Sequence, residues 1–238
     1  MFIQGIKAVI FDLDGTLFDR EEAQIRVVYL FVQQFPHVFH GLDRQRIVAA
    51  FLESEQLTND DWHAGMPVLA MRNKRSKLFL GLLGIKEDYA EAITEIYIQR
   101  YPTMNIPVAG AVAVVKELKG TFRLGVVSNG FPDAQYKKIE AIGLDSMISC
   151  VLLSEELGIR KPDPRIFLRA AQALDVHPDE CLFVGDSYSN DVVGAKSAGM
   201  LACWYNPGLP ILSETDVKAD LVISSFGQLA EMLLNHTG

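Results

Sequence analysis

KAVIFDLDGTLFD, residues Lys7 to Asp19, is the stretch on which the reading of the whole chain turns. Its apolar run, Ala8-Val9-Ile10-Phe11, is short enough for a strand and apolar enough to be buried on both faces, as strands of a parallel sheet are. Asp12 and Asp14 follow one residue apart, and Gly15-Thr16 turns the chain. Side chains alternate along a strand, so a regular strand sends both carboxylates to the same side. Two crowded carboxylates repel and lose hydration, which a cation or a shared proton relieves. Taken alone, the stretch reads equally well as an acidic turn.

The composition narrows the alternatives. A chain of 238 residues, nearly half of them apolar, suits an α/β domain with an insertion or two small domains. The net charge of −8 argues against a nucleic-acid polymer as partner, since that needs a basic surface. An anionic small substrate stays open, because a bound metal ion reverses the local sign. Cys150, Cys181 and Cys203 are an odd number without close spacing, which gives neither a disulfide framework nor a zinc pattern. They read as core residues in a reducing cytoplasm. No opening stretch has the pattern of a signal peptide and nothing approaches a membrane span, so the expected location is cytoplasmic.

From Glu21 onward the apolar period is helical. Ile25, Val28, Phe31 and Val32 form one stripe that Pro36 ends; Asp43 is placed to cap Arg44–Leu52. A further segment, capped at Asn59 or Asp60, runs through Leu69, Leu78 and Leu82 to Gly84, with a break considered at Pro67, and Asp88–Tyr101 is a fourth. From there strands and helices alternate. Strands are expected at Phe122–Ser128, Cys150–Ser154, Cys181–Val184, Leu201–Tyr205 and Leu221–Ile223. The intervening helices are expected at Val108–Lys119, Pro132–Ile142, Pro164–Leu174, Val192–Ala198 and Phe226–Leu234. That pattern implies an α/β class: a Rossmann-like parallel sheet with helices on both faces. The long helical stretch after the first strand is too large for one crossover and reads as an inserted all-helical domain. The expected division is residues 1–19 and 104–238 for the core and 20–103 for the insertion.

Ligands of such sheets bind beyond the carboxyl ends of the strands, so the polar residues there are the candidates. The first end supplies Asp12 and Asp14. The second supplies Ser128, Asn129 and Gly130, a hydroxyl, an amide and backbone N–H groups suited to phosphate, although the same tripeptide is also a common turn. In GIRKPDPRIF (158–167) Lys161 stands before Pro162, with Pro164 close behind, so its backbone is extended and stiff. VGDSYSND (184–191) ends another strand with Asp186 and places Asp191 near a helix start. Acids, one fixed cation and hydroxyl or amide donors are the inventory of phosphoryl transfer assisted by Mg2+, which takes hard oxygen ligands.

DLDGT, SNG, KPDP and GDSYSND, in this order and spacing, resemble the four motifs of the haloacid dehalogenase superfamily, over residues 5–19 and 104–230. The helical insertion resembles that family's cap. The resemblance implies that Asp12 is the nucleophile giving an aspartyl-phosphate, and that Asp14 is the general acid/base, its backbone carbonyl also meeting Mg2+. It implies that Thr16 holds the loop and Asp14, that Ser128, Asn129 and Gly130 bind phosphate, and that Lys161 balances charge. Asp186 would ligate Mg2+, with Asp191 behind it, orienting Lys161 or a metal-bound water. Dehalogenases and phosphonate hydrolases of the family lack an acid two residues after the nucleophile, so Asp14 favours a phosphatase; sugar phosphomutases keep both acids and stay open.

CWYNPG (203–208) resembles the Trp-Tyr-Asn-Pro segment of pyrimidine 5′-nucleotidases and N-acylneuraminate-9-phosphatases, while also suiting a buried strand whose Trp204 packs the sheet. A nucleoside monophosphate is therefore the first expected substrate and a sugar phosphate the second, with the protein a monomer or homodimer. In the insertion, the basic run Met71-Arg72-Asn73-Lys74-Arg75 reads as a solvated helix face or an anion contact. Trp62 and His63 read as stacking residues or as bundle core. Phe18 and Arg20 leave the catalytic loop towards the insertion. A receiver-like phospho-acceptor and a non-catalytic phosphate binder are the competing classes. Receivers are about half this length, and loss of catalysis would be expected to begin at the acids, which are intact.

Overall fold

The computed structural model describes residues 5–58, 65–208 and 218–234, and it divides into two compact units. The first comprises residues 1–19 and 105–238, the second Arg20–Met104. Asn59, Asp60, Trp62 and His63 lie outside the described residues.

The first unit is built on a six-stranded sheet in which every pairing is parallel. Its strands are β1 (Ala8–Phe11), β2 (Arg123–Ser128), β3 (Cys150–Leu153), β4 (Cys181–Gly185), β5 (Leu201–Tyr205) and β6 (Leu221–Ile223), in spatial order β3-β2-β1-β4-β5-β6. All four residues of β1 are fully buried, which explains why the run is continuous rather than alternating: both faces are covered. Ala8 and Ile10 join Ile166, Phe167, Ala170 and Phe183 in one core cluster. Phe167 and Phe183 meet edge-on with ring centroids 4.8 Å apart.

The strand order has a functional consequence. The chain builds β2 and β3 outward on one side of β1, then returns to place β4 on the other side. The reversal lies at β1, between β2 and β4, where open parallel sheets form their ligand crevice. Phe11 pairs with both Val126 and Val184, so Asp12, Ser128 and Asp186 emerge at neighbouring strand ends.

The second unit contains α1 (Arg20–Gln34), α2 (Arg44–Leu57), α3 (Val68–Leu82) and α4 (Ala90–Arg100). Its core is aromatic: Phe31, Phe51 and Phe79 meet pairwise at 5.8, 6.0 and 5.6 Å. Asp43 caps α2 by accepting from the backbone N–H groups of Gln45 and Arg46. The helix then runs past the expected stop at Leu52, because Glu53 to Gln56 contain no helix breaker. α3 begins just after Pro67, the break considered above.

In the first unit the helices are α5 (Ala111–Leu118), α6 (Pro132–Ala141), α7 (Ser154–Leu157), α8 (Pro164–Ala173), α9 (Val193–Ser197) and α10 (Phe226–Leu234). Two features are not foreseen by the apolar period. Ser154 opens the short helix α7 instead of ending β3, and a π-helical turn, Tyr188–Val192, precedes α9. Among the described residues no helix is long and apolar enough to cross a membrane.

The basic run of α3 is a correction. Lys74 is exposed, but Arg72 and Arg75 are buried with Ser76, Phe79 and Leu80. A uniformly solvated face is therefore wrong. The Arg75 guanidinium lies 3.7 Å from the centroid of the Tyr97 ring and also faces Phe51, and its planar, weakly hydrated head tolerates that stacking.

Candidate active site

Asp12 is the first residue beyond β1, and its backbone N–H donates to the Val184 carbonyl at 2.8 Å, so the strand end is pinned to β4. Its carboxylate is buried. Lys161 Nζ donates to Asp12 Oδ1 at 2.5 Å and to Asp191 Oδ1 at 2.7 Å, so one buried ammonium bridges two acids. The lysine is held from behind. Asn129 accepts from the Lys161 backbone N–H and donates to its carbonyl, each at 2.9 Å. Asp163 then caps α8 and Pro164 occupies its first turn, so the chain around Lys161 is fixed on both sides.

Beyond Asp12 the strand pattern is lost. Gly15 takes a φ of +89°, its N–H returns to the Phe18 carbonyl, and Leu17 and Phe18 both bond to the Leu13 carbonyl. A side chain at Gly15 would collide with Asp186, so glycine is required both for the turn and for the close approach. This tight loop gives Asp14 surroundings different from those of Asp12. Lys138 Nζ donates to Asp14 Oδ1 at 2.6 Å, and Gln135 Nε2 donates to Asp14 Oδ2 at 2.8 Å. Gln135 also reaches Ser128 Oγ at 2.6 Å and lies against Gly130.

On the β4 side, Thr16 Oγ1 donates to Asp186 Oδ1 at 3.3 Å, so the loop residue expected to hold the loop and Asp14 directs its hydroxyl at Asp186. Trp204 on β5 donates its indole N–H to the Asp186 carbonyl at 2.9 Å and meets Tyr188 edge-on. Asp191 Oδ2 accepts from the Ser187 backbone N–H at 2.9 Å. Both oxygens of Asp191 therefore have donors.

Asp12, Asp186 and Asp191 each offer an oxygen within 4.8 Å of the others. Burial pushes the Asp12 carboxyl up to about 8, with Asp191 and Asp186 adding to the rise and Lys161 opposing it. Desolvation and the neighbouring Asp191 raise Asp186 to about 6. Lys161 is pushed up, its two carboxylate partners outweighing its own burial. Counting Asp14 and Lys138, four carboxyl groups with hard oxygen donors face two ammonium groups, and the upward shifts of Asp12 and Asp186 express the crowding that a bound cation relieves. That donor set fits a divalent cation of the Mg2+ type, which Asp12, Asp186 and Asp191 could hold between them.

The motif residues thus come together in two groups around the end of β1. Gln135 and Lys138 are functional candidates that motif reading missed. The sequence does carry a signal for them: with Ile139 and Ile142 they fall on one face of a helix that starts at the carboxyl edge of the sheet. An amide and a lysine on an apolar stripe call for partners.

A family model described as "haloacid dehalogenase-like hydrolase" matches residues 6–199. The glyceraldehyde 3-phosphate phosphatase of Pyrococcus furiosus is 35% identical over 134 residues, 55% of this chain and 56% of that protein. The pyrimidine 5′-nucleotidase YjjG of Escherichia coli is 30% identical over 145 residues, 60% of this chain and 64% of that protein. The chain thus spans less than two thirds of the length of these two curated relatives. Among solved structures, the hydrolase YfnB of Bacillus subtilis, crystallised with magnesium, superposes with a TM-score of 0.81 at 22% identity, covering 97% of this chain and 100% of that one.

Proposed function

This chain belongs to the haloacid dehalogenase-like hydrolase family, and from that premise we propose that it is a Mg2+-dependent phosphatase of small phosphate monoesters working through an aspartyl-phosphate on Asp12. The observation that carries the reading is the separate anchoring of the two acids. Asp12 is tied to Lys161 and stands with the acids suited to metal, while Asp14 is tied to Lys138 and Gln135 and lies outside that cluster. Chemistry that needs one acid as nucleophile and another as proton carrier requires such a division.

Asp12 attacks phosphorus through the oxygen that Lys161 does not hold, and Lys161 orients the other oxygen and favours its charged form against the burial that opposes it. Ser128 Oγ and the backbone N–H groups at Asn129 and Gly130 donate to the phosphoryl oxygens. Asp14, protonated when the ester binds, delivers its proton to the departing alkoxide and, now a carboxylate, removes one from the water that hydrolyses the acyl phosphate. Asp12, Asp186 and the Asp14 carbonyl, with Asp191 behind, would hold Mg2+, which would supply neutralisation of the phosphoryl charge. By its place between the first and second motifs the helical unit corresponds to the segment that resembles the family's cap, and substrate selection is assigned to it on that ground.

Among monoesters, a nucleoside 5′-monophosphate is the first choice, supported by the Trp204-Tyr205-Asn206-Pro207 segment and by the nucleotidase relative. A sugar or triose phosphate is the second, supported by the glyceraldehyde 3-phosphate phosphatase relative. Asp12→Asn is expected to abolish Mg2+-dependent turnover of p-nitrophenyl phosphate while circular dichroism stays that of the parent. Undiminished turnover in that variant removes the assignment. Phosphate release without an isomerised product separates hydrolysis from mutase action, and a screen of nucleoside monophosphates and sugar phosphates separates the two substrate classes.

A further inference from the structure

Two side chains of α6 do something that neither the fold nor the metal cluster requires. Gln135 and Lys138 are one helical turn apart, almost fully buried, and share their face with Ile139. A buried lysine and a buried amide are costly in such a place, and a well-packed apolar pair is often the more stable solution. What they touch indicates why they stand there. Lys138 Nζ lies 2.6 Å from Asp14 Oδ1 and 5.2 Å from the centre of the Phe18 ring, which forms an apolar floor under the ammonium. Gln135 Nε2 lies 2.8 Å from Asp14 Oδ2 and 2.6 Å from Ser128 Oγ. In its ionised state Asp14 only accepts, and the amide nitrogen of Gln135 is the atom that faces it.

Each oxygen of Asp14 thus has its own donor from one rigid helix. Rotation of the carboxylate about its last bond breaks at least one of the two contacts, and rotation about Cα–Cβ breaks both. Gln135 further ties the acid to the hydroxyl assigned to phosphate, so the proton carrier and the phosphate cradle are set relative to each other. We propose that Gln135 and Lys138 are positioning residues that aim the Asp14 carboxyl at the leaving-group oxygen. This inference rests on the phosphatase reading and deepens it: it places the orientation of the acid/base in α6, outside the four motifs.

The test uses two aryl phosphates of similar size. p-Nitrophenolate leaves with little proton assistance, whereas phenolate, whose conjugate acid resembles tyrosine with a pKa of about 10, needs it. In Lys138→Met and Gln135→Leu, kcat/KM for phenyl phosphate should fall by roughly 10- to 100-fold, the scale of mis-set acid catalysis, and for p-nitrophenyl phosphate by less than about threefold. Asp14→Asn should show the same leaving-group dependence more strongly, and adding Lys138→Met to it should cost nothing further, because the lysine acts through the acid. Inhibition by inorganic phosphate should be unchanged in Lys138→Met, whereas Gln135→Leu also frees the Ser128 hydroxyl and is read on the leaving-group dependence alone. If one of the two variants fails to fold, the other carries the test.

Equal losses on both esters, no loss on phenyl phosphate, or a tenfold weakening of phosphate inhibition in Lys138→Met overturns the positioning role. If those results come with the expected leaving-group dependence in Asp14→Asn, the phosphatase reading stands and only this inference fails. A parent protein inactive on both esters with Mg2+ overturns the two together.

Discussion

Replacing Gly185 by alanine tests the closeness of the site with a single methyl group. Gly185 ends β4, and a Cβ built on it would lie 2.3 Å from Asp191 Oδ2 and 2.5 Å from its Cγ. Ordinary contact begins near 3.4 Å, so the shortfall is about 1 Å. The strand has little room to yield: Gly185 is in register with Trp204, and Val184 accepts from the Asp12 N–H. Asp191 must therefore move, and a shift of that size strains the bonds from Lys161 Nζ at 2.7 Å and Ser187 N–H at 2.9 Å. Overpacking costs about 1–3 kcal/mol, and a charge-assisted hydrogen bond contributes about 1.5–3 kcal/mol. A loss of about 3 kcal/mol is expected, which for a chain of this size lowers Tm by roughly 6–12 °C. Lys161 loses one of its two anchors, so turnover of p-nitrophenyl phosphate should fall by at least about tenfold, the equivalent of a 1.4 kcal/mol rise in barrier. Thermal melting and steady-state kinetics read both effects. The control is Gly120→Ala, an exposed glycine with nothing within 4 Å of a built Cβ, expected to stay within about 0.5 kcal/mol of the parent. A Gly185→Ala protein that melts with the control and keeps full turnover refutes the account of Asp191 as a packed anchor of Lys161.

Three further outcomes concern the rest of the chain. In the helical unit, Arg75 stacks on Tyr97 and lies 3.6 Å from Glu55 Oε1, while its Nε and Nη2 are buried without hydrogen-bond partners. Arg75→Met should therefore change stability in urea by no more than about 1 kcal/mol, whereas Glu55→Leu, which leaves that guanidinium without its acid, should cost about 3 kcal/mol. Asp43→Ala removes the side-chain cap of α2 and should cost about 1 kcal/mol in the same assay. Burial pushes the Cys181 and Cys203 thiols up to about 12, so in native protein at pH 8 both should resist a thiol-specific disulfide reagent that labels them once the chain is unfolded in guanidinium.

The apolar runs were sufficient to read the sheet. Strands such as Ala8–Phe11 and Leu201–Tyr205 are buried on both faces, so nearly every side chain in them reports the same environment. The acids at their ends were legible for the same reason, since a charge that interrupts a buried run must lie at a strand end or a site. α6 was legible as a helix, but not what its buried face holds, because helical period says which residues share a face and nothing about the partner opposite. The same limit applies to Arg72 and Arg75, which the basic run offered as a solvated face or an anion contact and which the packed helices bury.

By itself the sequence determined the α/β class and the alternation of elements, and it nominated Asp12, Asp14, Ser128, Asn129, Lys161, Asp186 and Asp191 as site candidates. Those follow from local hydrophobicity, turn chemistry and order along the chain. The tertiary structure decided how those candidates are divided. Strand order put the ends of β2 and β4 on either side of β1, the turn at Gly15 broke the regular strand, and Asp14 was thereby placed with Gln135 and Lys138. Such contacts join residues more than 120 positions apart, and no pattern of a few residues encodes which distant side chain a loop will meet.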